Sequence, residues 1–321
     1  MPTNVEYWRK RSLQRMTEAE RYSEAQIKKV LGIYAEANKD IDKMITNVYK
    51  NYTKDTGLDQ QTLRTLLSKK DTDKFWQTLE GKNLKQYVKN NYKSRITRLE
   101  QLKGELYIKA KDIGIKETAI NTATYENILK NSFNNTIYDT AKGLDKVIGF
   151  NQLDEQTIHQ VLNYKWVGGS NYSTTIWKNT DLLADKLGNI LSRGVITGAS
   201  YDKMSRDIRE AFGVNKYYAD RLIRTEGNHF HNQAEYEAYK EMGVDTYVFL
   251  ATLDNRTSEM CQKLDGKKIL MSKRVEGENY PPLHPNCRST VMAYFGDEFM
   301  PTQRTSSNGV IKYTTYKDYD K

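Results

Sequence analysis

The residues able to do chemistry concentrate late in the 321-residue chain: Asp254, Arg256, Cys261, Asp265-Gly266, then His284-Pro-Asn-Cys-Arg288. A cysteine followed by His-x-x-Cys offers three soft or borderline donors, and tetrahedral zinc takes four. Asp254, or a histidine from the preceding helical stretch, would complete the set. The spacing from Cys261 to Cys287 fits no standard finger and the Cys-x-x-Cys knuckle is missing, so zinc at Cys261, His284, Cys287 and Asp254 is the subordinate reading. A thiol nucleophile activated by His284 is the other active reading, yet no oxyanion motif or third orienting residue is readable. The favoured reading is non-catalytic. The two cysteines are expected reduced and buried as small hydrophobes, while Asp254, Arg256, Asp265 and Arg288 pin loops through charge-assisted hydrogen bonds.

A second polar group precedes them, Arg221-Leu-Ile-Arg-Thr-Glu-Gly-Asn-His-Phe-His-Asn232. At helical spacing Glu226, His229 and Gln233 share a face, whereas His229 and His231 point to different faces. That geometry argues against a two-histidine metal site. It suits a polar helix docked against the C-terminal unit through Arg and Glu.

The elements that must hold these groups read mainly as helices. From Thr17 to about Tyr52, Ile27, Val30, Leu31, Tyr34, Ile41, Met44, Ile45, Val48 and Tyr52 recur at three- and four-residue steps, the signature of one amphipathic face. Thr17 with Glu20 reads as a capping box, and such a helix spans about 55 Å. A second helical pattern starts near Asp59 and a third runs from Leu84 to about Ile113. Residues 115–175 are expected to form short helices around 116–142 and 154–163, with Trp166 to Asn171 a loop. Helical periodicity returns from Thr175 to Val195. Ser200 then N-caps a short helix ending at Gly213, and another runs from Asn215 to Met242, closed by Gly243. Thr246 to Thr252 and Ser289 to Phe295 read as strands.

Two cysteines cannot build a disulfide framework, and the first residues, Met-Pro-Thr-Asn-Val-Glu-Tyr-Trp-Arg-Lys, carry no apolar signal core. Neither a secretory leader nor a membrane span is expected. A mean hydropathy of -0.79 and 38% hydrophobic residues imply a thin core for this length. The net charge of +9 lies in residues 1–110, which hold 23 Lys+Arg against 14 Asp+Glu, while the remainder holds 27 of each. Within that third, Lys82, Lys85, Lys89, Lys93, Arg95, Arg98 and Lys103 interleave with Tyr87 and Tyr92. Such a stripe suits a phosphate backbone, without sequence readout; a solvated helix face is the equally weighted reading.

In order along the chain, Gly194, Gly198, Arg224-Thr225-Glu226, Asp254-Asn-Arg256-Thr257, Leu264-Asp265-Gly266 and His284 to Arg288 resemble the motifs of the bacteriophage Mu F-like minor head proteins, the phage head morphogenesis family. The resemblance covers about residues 190–295. Family members often carry Cys-x-x-Cys after Asp-x-Arg-Thr and Cys-Arg-Cys at the close, whereas Ser258 and Ser289 stand here at the first and last of those four positions. That departure removes two ligands and supports a site held by hydrogen bonds, with a Cys261–Cys287 contact.

The resemblance implies a structural component of a phage head, added during procapsid assembly, associated with the portal vertex and in some members ejected with the DNA. The expected fold is mainly α with a small C-terminal α+β domain and an elongated N-terminal helical arm. Its expected divisions are a basic helical arm (1–114), a helical middle region (115–243), the Mu F-like α+β domain (244–300) and a polar tail (301–321). No catalytic residue is assigned. Arg224, Glu226, Asp254, Arg256, Asp265, His284, Asn286 and Arg288 form the expected structural network. Expected partners are portal protein, capsid or scaffolding protein and non-specific double-stranded DNA, with no membrane and no cofactor, zinc being the alternative. The expected location is the virion, with host cytoplasm during assembly. The rival functions are a head-associated hydrolase or nuclease using the Cys/His cluster, and a DNA-binding protein acting outside the virion.

Overall fold

The structure, a computed structural model, describes residues 4–54, 57–58, 70–71, 73–74, 77, 97–144, 152–166, 168–297, 300, 303–307 and 309–319. Its helices are α1 (Asn4–Tyr52), α2 (Arg98–Gly143), α3 (Glu155–Asn163), α4 (Tyr172–Thr197), α5 (Tyr201–Glu241) and α6 (Glu259–Leu264). Its strands are β1 (Thr53–Lys54), β2 (Gly57–Leu58), β3 (Thr246–Leu250), β4 (Lys268–Leu270), β5 (Thr290–Ala293), β6 (Gln303–Ser306) and β7 (Gly309–Lys312). A mainly helical chain with a small C-terminal sheet is therefore what forms. Among the described residues no helix is long and apolar enough to cross a membrane.

In α1 the residues Ile27, Val30, Tyr34, Ile41, Ile45 and Val48 are buried, the face read from their spacing. The helix begins at Asn4 and not at Thr17. Arg15, Met16 and Ala19 are buried too, so the packed face extends through the expected cap and carries the helix with it. The capping box lies elsewhere. At the start of α2 the Thr97 N–H donates to Glu100 Oε2 (2.7 Å) and the Glu100 N–H to Thr97 Oγ1 (3.2 Å), satisfying two free N–H groups reciprocally. The pattern expected near Asp59 falls largely outside the described residues, as does the stretch from Leu84 to Ile96. The expected short helix over 116–142 is the second half of α2.

Of two helix caps, that at Ser200 is the expected one and that at Asp154 is seen only in the structure. Asp154 caps α3 by accepting from the Thr157 N–H, and Ser200 Oγ accepts from the Lys203 N–H at the head of α5. The break expected at Gly213 does not occur, and α5 runs straight through it. A mid-helix glycine costs only about 1 kcal/mol. Burial of Ala211, Phe212 and Ala219 around it outweighs that cost, while Asn215 returns its side-chain N–H to the Ala211 carbonyl.

The chain forms two compact units, one from residues 1–27, 121–171 and 220–321, the other from 28–120 and 172–219. Each is discontinuous, so neither follows the sequential division into arm, middle, α+β domain and tail. In the second unit Tyr34 Oη donates to Glu117 (2.8 Å), and Asp42 accepts from Tyr201 and Ser205.

The first unit holds the sheet, ordered β4-β3-β5 and antiparallel throughout. Tyr247 and Phe249 point to one face, where Tyr247 packs with Tyr239 of α5, Val244, Tyr280, Val291 and Ala293. Val248 and Met292 fill the other face, against Leu144, Tyr294 and Phe295. Both faces are covered, which is why all four residues of β5 are buried. The expected polar tail is corrected: β6 and β7 pair as a hairpin, and Arg304 and Tyr316 are buried.

A buried ion triad joins α1, α2 and α5 within this unit. Arg15 donates to Asp139 (2.8 Å) and Glu235 (3.1 Å), and all three side chains are almost fully enclosed. Removing one member leaves uncompensated buried charge. Arg15→Ala is expected to lower unfolding free energy by about 3–5 kcal/mol, read as a lower urea midpoint with an unchanged slope.

Candidate functional site

The C-terminal half of α5 is a polar edge driven into the apolar unit. His229 is fully buried, stacked on Trp166 at 4.5 Å and bonded through Nδ1 to Glu276 at 2.5 Å. The Trp166 indole N–H donates to Glu226 (3.1 Å), whose carboxyl is pushed above its ordinary value by burial. His231, two residues on, faces the other way toward Ser132 (2.9 Å), Thr290 and Glu235, and burial lowers its pKa. Asn228 and Asn232 both donate to the Ser289 carbonyl. The histidines are thus docking groups on different faces. Gly227 is required by close approach, since a Cβ there would meet Ser23 Oγ at 2.3 Å.

Past β3 the chain closes two carboxylate knots. In the first, Arg288 makes a forked pair with Asp254 (2.6 and 2.8 Å). Asp254 Oδ1 also accepts from the Arg256 N–H (2.9 Å). The Arg288 fork, reinforced by that backbone bond, holds Asp254 down to about 2. In the second, fully enclosed Asp265 accepts from the Ala251 N–H, the Tyr316 N–H (both 2.7 Å) and the Arg304 fork (2.6 and 2.8 Å). Gly266 follows with φ of 75°, a region that favours glycine, and Thr315 stands 2.7 Å from where its Cβ would be.

Between the knots lie the thiols. Ser258 caps α6, placing Cys261 one turn in. The loop from His284 turns back through Asn286 in the left-handed region at φ of 60°, where asparagine is tolerated. The Asn286 N–H donates to Thr225 Oγ1 of α5 (3.0 Å). The result is Cys261 Sγ 3.7 Å from Cys287 Sγ, with His284 Nε2 3.4 Å from Cys261 Sγ and 2.8 Å from Ser258 Oγ. Both thiols are free and buried, packed with Phe249, Ala251 and Leu283. Hydrogen bonding between the sulfurs pushes Cys261 up and pulls Cys287 down, and the bond to Cys287 raises His284.

The cluster borders a cleft of about 940 Å³. Glu20, Glu24, Arg224, Arg256, His284 and Arg288 line it, so both charge signs face the opening. Arg224 is tied to Glu24 (2.7 Å) and Asp220 (3.2 Å).

The expected eight-residue network is therefore several separate ones. Asp254, Arg256 and Arg288 form one, Asp265 belongs with Arg304, Glu226 with Trp166, and Arg224 with acidic residues of α1 and α5. Asp254 stands outside the thiol group: among the described residues, Cys261, His284 and Cys287 are the ones that bring ligand atoms within 4.8 Å of one another. Arg304 and Tyr316 were missed by sequence reasoning, although Asn308-Gly309 between short alternating runs is a hairpin signal. Of the basic stripe, Lys82, Lys85, Lys89, Lys93 and Arg95 lie outside the described residues, and Arg98 and Lys103 are half-buried in the first turns of α2.

A helix edge locked to a three-stranded sheet by buried polar contacts, with carboxylate knots on either side of a Cys-His-Cys group, defines a small α+β module carried on long helices. Residues 185–292 match the family described as Phage Mu protein F like protein, the segment on which the motif resemblance rests. The chain is also 28% identical over 169 residues to the NAD(+)--arginine ADP-ribosyltransferase EFV of Enterococcus faecalis (strain ATCC 700802 / V583), covering 48% of this chain and 34% of the relative. It thus spans about a third of that relative's length. No solved structure matches.

Two outcomes follow from the knots. The pKa of Asp254 is depressed on folding, so its contribution to stability is present above its ordinary value of 3.8 and is lost as pH falls toward about 2. Asp254→Asn is expected to flatten the pH dependence of the urea midpoint across that window. Arg304→Ala leaves Asp265 without its guanidinium, and limited proteolysis should then cut in the β6–β7 hairpin at least about tenfold faster, a 1.4 kcal/mol opening.

Proposed function

We propose that this protein is a phage minor head protein that acts in head morphogenesis at the portal vertex and performs no catalysis there. The observation that carries the reading is the coincidence of the Mu F-like match, residues 185–292, with the polar docking edge of α5 and the knots that follow it. In this reading the module grips portal, capsid or scaffolding protein, and rigidity is its contribution. Buried, fully bonded Asp265 and His231 suit a surface that must hold one form through assembly.

The basic stripe of Lys82, Lys85, Lys89, Lys93, Arg95, Arg98 and Lys103 is assigned to packaged double-stranded DNA by electrostatics alone. The protein resides in the virion and passes through host cytoplasm during assembly, and ejection with the DNA is compatible with such a contact. The name of the Enterococcus relative favours a second reading, an enzyme carried with the head. Incubation of the purified chain with labelled NAD(+) and an arginine-rich acceptor separates the two: the structural reading expects no transfer of label.

Quantitative mass spectrometry of purified particles is expected to find this chain at low copy relative to portal protein. Its absence from particles would sink the head assignment. Filter binding across a salt series should weaken by about 10³-fold or more between 50 and 200 mM for six or more phosphate contacts and ignore sequence; Lys82→Glu, Lys85→Glu and Lys89→Glu together should flatten that slope.

A further inference from the structure

We propose that Cys261 Sγ, Cys287 Sγ and His284 Nε2 form a zinc(II) site whose fourth position falls to Ser258 Oγ or to water from the adjoining cleft. Zinc bonds of about 2.3 Å to sulfur and about 2.0–2.1 Å to nitrogen in a tetrahedron set two thiolates about 3.8 Å apart and a sulfur about 3.6 Å from the imidazole nitrogen. The separations here are 3.7 Å between the sulfurs and 3.4 Å from Cys261 to Nε2. All three donors converge within 4.8 Å.

Two independent features orient the donors. His284 Nδ1 lies 2.9 Å from the Pro285 carbonyl, and a carbonyl can only accept, so Nδ1 carries the hydrogen. In the neutral ring Nε2 therefore presents its lone pair to the sulfurs, the outer-shell arrangement that fixes a metal-binding histidine. Ser258 Oγ stands 2.8 Å from Nε2, so an oxygen donor is already placed on that side. Two thiols with one imidazole select a borderline-soft cation over calcium or magnesium. Asp254 takes no part, because Arg288 occupies its carboxylate. Binding releases the thiol protons to solvent and changes no oxidation state. Zinc would tie α6 to the His284 loop, and where water completes the tetrahedron it would present one exchangeable position at the edge of the cleft.

The test uses the tag-free full chain, reduced, stripped with chelator and then given zinc or cobalt(II). Expected are about one tightly held zinc per chain, and a cobalt spectrum with thiolate charge transfer and strong tetrahedral d–d absorption. Cys261→Ser and Cys287→Ser should each weaken zinc by more than the 10–100-fold typical of an outer-shell change, whereas Ser258→Cys should tighten it. On the unaltered chain, zinc should slow alkylation of both thiols at least about tenfold, a readout that needs no variant to fold. A six-coordinate cobalt spectrum, zinc retention equal in wild type and Cys287→Ser, or thiols alkylated equally fast with and without zinc would each overturn the proposal.

Discussion

The burial of one carboxylate, Asp265, is the constraint around which the C-terminal module is arranged. A charge removed from water is tolerable only when it is paired and its lone pairs are filled. Asp265 meets that demand from three directions: the end of β3 through the Ala251 N–H, the hairpin through Arg304, and the chain beyond it through the Tyr316 N–H. Arg304 in turn donates to the Ala251 and Thr314 carbonyls. The carboxylate thus joins segments about 50 residues apart in sequence. Cys261 sits one turn ahead of it on α6 and its carbonyl accepts from the Asp265 N–H, so the position of the thiol is inherited from the knot.

The second dependence runs along α5. A helix that buries His229, His231, Asn232 and Glu235 has to find a partner for each, and the partners come from four separate stretches of chain: Glu276, Ser132, the adjoining Ser289 and Thr290, and Arg15. Apolar packing alone would tolerate small slips, but directional bonds of this kind admit one register. They hold β5 against the helix and so set where the segment from His284 to Arg288 emerges. Polar specificity is thus added to the apolar core, with buried polar side chains such as His231, Asn232 and Glu235 set among it.

These dependencies bear on function. His229 and His231, which look reactive in one dimension, are consumed in docking, whereas the two cysteines and His284 converge beside an open cleft. The segment that matches the Mu F-like family, residues 185–292, thus holds both the docking edge of α5 and the Cys-His-Cys group. The similarity to an ADP-ribosyltransferase covers only 34% of that relative, and function resides in sites and not in folds.

Much of this was legible in the amino-acid sequence because it is local. Periodicity marked the buried face of α1 and most of that of α4, where Leu182 is exposed instead; Ser200 announced its cap, Gly243 the end of α5, and the runs at 246–252 and 289–295 their strands. The ordered motifs from Arg224 to Arg288 located the module. What only tertiary structure decided is where long-range packing or pairing overrides a local signal. Gly213 does not break α5 because the residues around it are buried, and the Thr17 capping signal is silent because Arg15 and Met16 pack upstream of it. Arg304 and Tyr316 looked like tail residues until Asp265 claimed them. The expected eight-residue network divided into separate ones for the same reason: spacing states which residues can face one another, but a buried charge binds whichever partner the fold brings within about 3 Å.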